Sequence, residues 1–192
     1  MSVFVAYKEN DKVKLIIKEK VFTGDYLSNY HANNYVVIGD LIVAGDGSAK
    51  VISKMSLLND YLDYNESFVV DKSYILNYFI PALVNLYDDF DMLEDDDDDF
   101  KCLYSDFIVI HKNKIFLIKS CLDFKEVEKF VVLCEEDDEI VYSINKLDSL
   151  TEAKIIKIMN CYEAYKNKEN YIVIDSKELV ERKISYDDCT ER

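Results

Sequence analysis

The pairing of apolar runs constrains this chain more than any other feature. Val3-Phe4-Val5-Ala6-Tyr7 is followed, across Glu9-Asn10-Asp11, by Val13-Lys14-Leu15-Ile16-Ile17. Tyr35-Val36-Val37-Ile38 and Leu41-Ile42-Val43-Ala44 are split by Gly39-Asp40, and Phe107-Ile108-Val109-Ile110 and Ile115-Phe116-Leu117-Ile118 flank His111-Lys112-Asn113-Lys114. Short runs rich in β-branched residues, joined by a few turn formers, read as hairpins, because so short a connection returns the chain antiparallel. With Phe130-Val131-Val132-Leu133 and Tyr171-Ile172-Val173-Ile174 as further strands, the chain is committed to antiparallel sheets.

Between the second and third hairpins the apolar period changes from strand to helix. Val51, Ile52, Met55, Leu58 and Leu62 recur at helical spacing behind Ser48, a residue able to cap a helix. Leu76, Phe79, Leu83, Leu86 and Phe90 give a second stripe from about Ser73 to Phe90, in which Pro81 predicts a kink or a break. Glu135 to Leu147, with Ile140, Ile144 and Leu147, and the segment capped by Thr151, with Ile155, Ile158, Met159, Tyr162 and Tyr165, predict two more helices. The order of four strands, two helices, three strands, two helices and one strand indicates an α+β fold. A length of 192 residues with four Gly and one Pro predicts one domain over 1–175, an inserted acidic loop at 91–100, and a polar tail at 176–192.

The net charge of -15 argues against a sequence-independent grip on nucleic acid, which needs clustered cations, and favours a partner protein with a basic surface. Cys102, Cys121, Cys134, Cys161 and Cys189 are odd in number and lack Cys-x-x-Cys spacing, so neither a disulfide framework nor a zinc site is expected. No basic and apolar leader and no run of membrane-spanning length occurs, which predicts a reduced, cytoplasmic protein; Asn65-Glu66-Ser67 is then an irrelevant glycosylation match. The absence of Trp and the abundance of Lys, Asn, Asp, Tyr and Ile fit an AT-rich genome, bacterial or phage.

Gly45-Asp46-Gly47-Ser48-Ala49-Lys50 lacks the spacing of a phosphate loop and reads as a structural turn. Asp95, Asp97 and Asp99 alternate as in a calcium loop, but Phe100 stands where that loop requires Gly, so no metal and no cofactor is expected. His31 and His111 lack neighbouring ligands and read as turn residues. The run Asp91, Met92, Leu93, Glu94, Asp95, Asp96, Asp97, Asp98, Asp99 and Phe100 joins charge to apolar anchors and is the candidate partner-binding segment.

The opening hairpin ending in Phe22-Thr23-Gly24, the strand Val43-Ala44-Gly45 ahead of a helix, and Leu133 followed by the Ile140–Leu147 and Thr151-Glu152 helices resemble the N-terminal-nucleophile hydrolase fold of proteasome β-subunits and HslV, over roughly Ser2 to Asp175. The resemblance implies two antiparallel sheets sandwiched between helix layers. It also implies a Thr, Ser or Cys nucleophile as first residue of the mature chain, with the α-amine as general base. Ser2 can fill that role once Met1 is removed. The family's supporting Asp falls here on Lys18, and its Lys falls within His31 to Asn34, where no Lys stands.

These departures make the leading expectation a noncatalytic protein-binding factor, in the manner of phage host-takeover proteins that bind RNA polymerase or its sigma subunit. A divergent amidohydrolase using Ser2, and a structural subunit of a homo-oligomer, are the alternatives.

Overall fold

The computed structural model describes residues 3–18, 34–95, 101–134, 137–161 and 171–185. In chain order its strands are β1 (Val3–Glu9), β2 (Lys12–Lys18), β3 (Tyr35–Ile38), β4 (Leu41–Gly47), β5 (Glu94–Asp95), β6 (Lys101–Cys102), β7 (Ser105–His111), β8 (Lys114–Ile118), β9 (Phe124–Val127), β10 (Phe130–Leu133), β11 (Tyr171–Asp175) and β12 (Glu181–Ile184). The helices are α1 (Ala49–Lys54), α2 (Leu58–Tyr61), α3 (Lys72–Tyr74), α4 (Ile80–Asp88), α5 (Asp137–Asn145) and α6 (Glu152–Cys161). Two five-stranded sheets, ordered β10-β1-β2-β11-β12 and β3-β4-β7-β8-β9, belong to an α+β protein. The chain divides into two structural units.

The first unit is built on the opening hairpin, which pairs from Val3↔Lys18 to Glu9↔Lys12 around Asn10, a residue that tolerates its φ of 59°. Along β1, alternate side chains serve opposite faces. Val3, Val5 and Tyr7 join Ile16, Val132, Tyr171 and Val173 in a core with Ile140 and Ile144 of α5 and Ile155, Ile156 and Met159 of α6. Phe4, Ala6, Leu15, Ile17, Ile172 and Ile174 are buried as well. Burial on both faces explains why these strands read as continuous apolar runs rather than strict alternation.

Of two strands in this unit, the sequence names one without its partner and misses the other. Phe130–Leu133, expected as a strand, is β10 and pairs with β1, Phe4↔Leu133 to Tyr7↔Phe130. The segment expected to be a polar tail contains β12, which pairs with β11 from Tyr171↔Ile184 to Ile174↔Glu181. Ladder hydrogen bonds are made by backbone, so an edge strand needs no apolar side chains and leaves no apolar signal.

In the second unit β4 pairs with β7 from Leu41↔His111 to Gly47↔Ser105. Ile38, Leu41, Val43, Phe107, Val109 and Phe116 share a core with Met55, Leu58, Phe79, Leu83, Leu86 and Tyr87 of the helical stretch. Helix α1 runs through a 3₁₀ turn at Met55–Leu57 into α2. Ser48 stands at its N-cap without a side-chain cap bond; instead the Ser48 N–H donates to Ser105 Oγ at 3.0 Å.

The break predicted at Pro81 takes the form of a π turn over Ile75–Phe79, between α3 and α4. Proline cannot donate to a carbonyl one turn back, and widening that turn lets the Ile80 N–H reach the Ile75 carbonyl while the helix continues. Asp71 caps the start, accepting from the Tyr74 N–H at 2.9 Å. Among the described residues no helix is long and apolar enough to cross a membrane.

Candidate functional site

The N-terminal end of β1 is where the family resemblance places chemistry. Ser2 and His31 to Asn33 lie outside the described residues, but the strand that would support Ser2 is described. Lys18 pairs with Val3 on one side and Tyr171 on the other. It is 1 % exposed, and its Nζ lies 5.5 Å from the centroid of the Tyr171 ring. The position that the sequence resemblance assigns to the supporting carboxylate thus carries a buried lysine.

A second polar constellation lies at one end of the other sheet. Asp40 sits in the tight β3–β4 turn after Gly39, whose φ is 57°, and His111 closes β7 directly across from Leu41. Asp40 Oδ2 is 3.2 Å from His111 Nε2, and Asp40 Oδ1 accepts a hydrogen bond from the Tyr64 hydroxyl. His111, expected as a turn residue, is instead buried at the end of a strand. The carboxylate lies between an imidazole and a phenol and accepts from the phenol. Sequence reasoning named His111 but missed Asp40 and Tyr64, because a pairing across separate turns leaves no spacing signal.

The acidic segment is partly described. Asp91 adopts a φ of 51°, and its N–H donates to the Asp88 carbonyl, turning the chain away from α4. Met92 and Leu93 pack against the core of the second unit. Glu94 and Asp95 then pair with Cys102 and Lys101 as the small β5–β6 ladder. Asp96, Asp97, Asp98, Asp99 and Phe100 lie outside the described residues. Among the described residues no cluster of His, Cys, Asp and Glu suited to a metal ion occurs.

The turn at Gly45–Ser48 is structural in detail. A Cβ at Gly45 would stand 2.8 Å from Ile52 Cδ1, and the Gly45 N–H is spent on the Asn34 carbonyl at 3.0 Å. At Gly47, with φ of 133°, a Cβ would meet the Tyr104 carbonyl oxygen at 2.5 Å. Both glycines are required by packing against β7 and its approach.

No family model and no curated protein matches this sequence. Solved structures do match it. Thiobacillus denitrificans BPH in complex with epoxomicin is 16 % identical, with a TM-score of 0.63 over 91 % of this chain and 98 % of that one. The structure of Thiobacillus denitrificans BPH is 17 % identical, with a TM-score of 0.64 over 91 % of this chain and 97 % of that one. At such identity the likeness is one of fold, and it extends along nearly the whole chain.

Proposed function

We propose that this chain is a noncatalytic protein-binding factor on an N-terminal-nucleophile-like scaffold of two sheets between helix layers, and that it engages a basic surface of a partner protein. Lys18 is the observation that carries the reading. An N-terminal nucleophile needs an amine that is neutral enough to accept the hydroxyl proton and a carboxylate that orients it. A buried lysine at the carboxylate's position supplies no acceptor to orient that amine. The scaffold's likeness to BPH supports its ancestry, and function is argued from the altered position rather than from the fold.

The net charge of -15 supports a basic protein partner over a nucleic acid. The DNA-reading surface of a bacterial RNA polymerase sigma subunit has that chemistry, and a phage-encoded modulator of transcription is the role that fits it. Binding of the purified chain to sigma, to RNA polymerase holoenzyme and to duplex DNA tests this directly. The expected result is salt-sensitive binding to sigma and none to DNA; no binding to either protein overturns the partner.

A hydrolase using Ser2 is the second reading, favoured by the likeness to a protein solved with epoxomicin. Mass determination of the N-terminus and Ser2→Ala decide between them. A retained Met1 removes the second reading, whereas amide hydrolysis that vanishes in Ser2→Ala removes the first.

A further inference from the structure

The approach to the π turn carries a run of aromatic rings that begins in the core and ends in solvent. Tyr74 and Tyr78, four residues apart across the widened turn, stack at 5.4 Å between centroids and 23° between planes. Phe68 lies 6.5 Å from Tyr78 at 27° and 6.1 Å from Tyr74. Tyr64 meets the edge of Tyr74 at 6.3 Å and 85°. Tyr74 is buried at the base, while Phe68 is 39 % exposed, Tyr78 57 % and neighbouring Val69 73 %. Solvent-facing rings held by one another form a preordered apolar surface, which costs little side-chain entropy when covered.

Charge distinguishes the kinds of partner that can cover it. From residue 60 to residue 71 the chain contains Asp60, Asp63, Glu66 and Asp71 and no Lys, Arg or His. The first cation, Lys72, lies 3.9 Å from Glu126. A second copy would bring the same carboxylates against these, and an anionic membrane surface would be repelled likewise. A guanidinium is suited to both parts of the surface, because its plane stacks on aromatic faces while its N–H groups bond carboxylates.

We infer that Phe68 and Tyr78, resting on the buried Tyr74 ring and flanked by the carboxylates of Asp63 and Glu66, form the docking surface for an arginine-bearing segment of the partner protein. The inference rests on the proposed binding of a basic protein and names the surface responsible. The Tyr74 hydroxyl, which has no hydrogen-bond partner among the described residues, lies at the base of the same ring cluster.

Fluorescence anisotropy of a short labelled peptide of alternating Arg and Ala tests it, with Lys/Ala and Glu/Ala peptides for comparison. The Arg peptide binds most tightly, the Lys peptide more weakly, and the Glu peptide not at all. The Phe68→Ser/Tyr78→Ser variant loses about tenfold or more in affinity. Asp63→Asn/Glu66→Gln flattens the salt dependence, and Tyr78→Phe retains binding. Circular dichroism confirms that each variant is folded.

If the double aromatic variant binds as tightly as the original chain, the docking surface is overturned while the basic-partner reading stands. If the original chain binds neither the cationic peptides nor sigma, both fall. If light scattering shows a dimer that the same substitutions dissociate, the occupant is a second copy and the inference is overturned.

Discussion

Single residues hold the strained or charged points of this fold. Gly39 takes a φ of 57°, and a Cβ there would lie 2.7 Å from Tyr64 Cε1. Gly39→Ala therefore combines the left-handed penalty with displacement of the ring that donates to Asp40, and should cost roughly 1–3 kcal/mol in urea unfolding. Tyr64→Phe, which removes only the hydroxyl, should cost about 1 kcal/mol. Asp175 offers a pH test. Burial pushes its carboxyl up, but the Lys12 ammonium at 2.5 Å and the backbone N–H groups of Lys177 and Glu178 outweigh this and hold it below the ordinary aspartate value. A depressed carboxyl stabilises the fold above its unfolded value of about 3.9, and that stabilisation is lost as pH falls through the folded value. Thermal melts of Asp175→Asn should show a deficit at neutral pH that shrinks on acidification; a deficit constant with pH would contradict this account.

At the scale of elements, a single hydroxyl joins separate parts of the first unit. Ser176 Oγ accepts from the buried Val13 N–H at 2.8 Å and donates to the Lys112 carbonyl at 2.5 Å, at the β7–β8 turn. Ser176→Ala leaves a buried donor unsatisfied and should cost about 1–3 kcal/mol by chemical denaturation, with Ser176→Thr recovering part of it. The hairpins were legible in the sequence because their turns are local and most of their strands are continuous buried apolar runs. Residues such as Val51, Met55 and Leu58 likewise announced a helix. What escaped was nonlocal or carried by backbone: β10 joining β1, the β12 edge, and the π turn that accommodates Pro81. Of the candidate sites, Lys18 could be placed by counting from Gly24, whereas the Asp40, Tyr64 and His111 cluster depends on a turn, an irregular segment and a strand end meeting, and has no local signature.

For the molecule as a whole, charge sets the behaviour that is easiest to measure. With a net charge of -15, association with a basic partner should slow as ionic strength rises, because the screening length falls from roughly 30 Å at 0.01 M to about 8 Å at 0.15 M. Stopped-flow mixing should show the change mainly in the association rate, with dissociation set by the apolar contacts. An association rate indifferent to salt would remove electrostatics from the account. The segregation of apolar groups into the interior was legible from periodicity; which charges face a partner was not, since exposed carboxylates obey no period.

The small ladder beneath the acidic segment has a practical consequence. Glu94↔Cys102 and Asp95↔Lys101 fix both ends of the intervening chain, and Met92 and Leu93 tie one end to a core. Between those clamps extra sequence adds a loop-closure cost of about 0.6 kcal/mol for each doubling of length. A peptide tag or small reporter module grafted between Asp95 and Lys101 should leave the melting temperature within a few degrees of the parent, making this the natural attachment point for a sensor of partner capture.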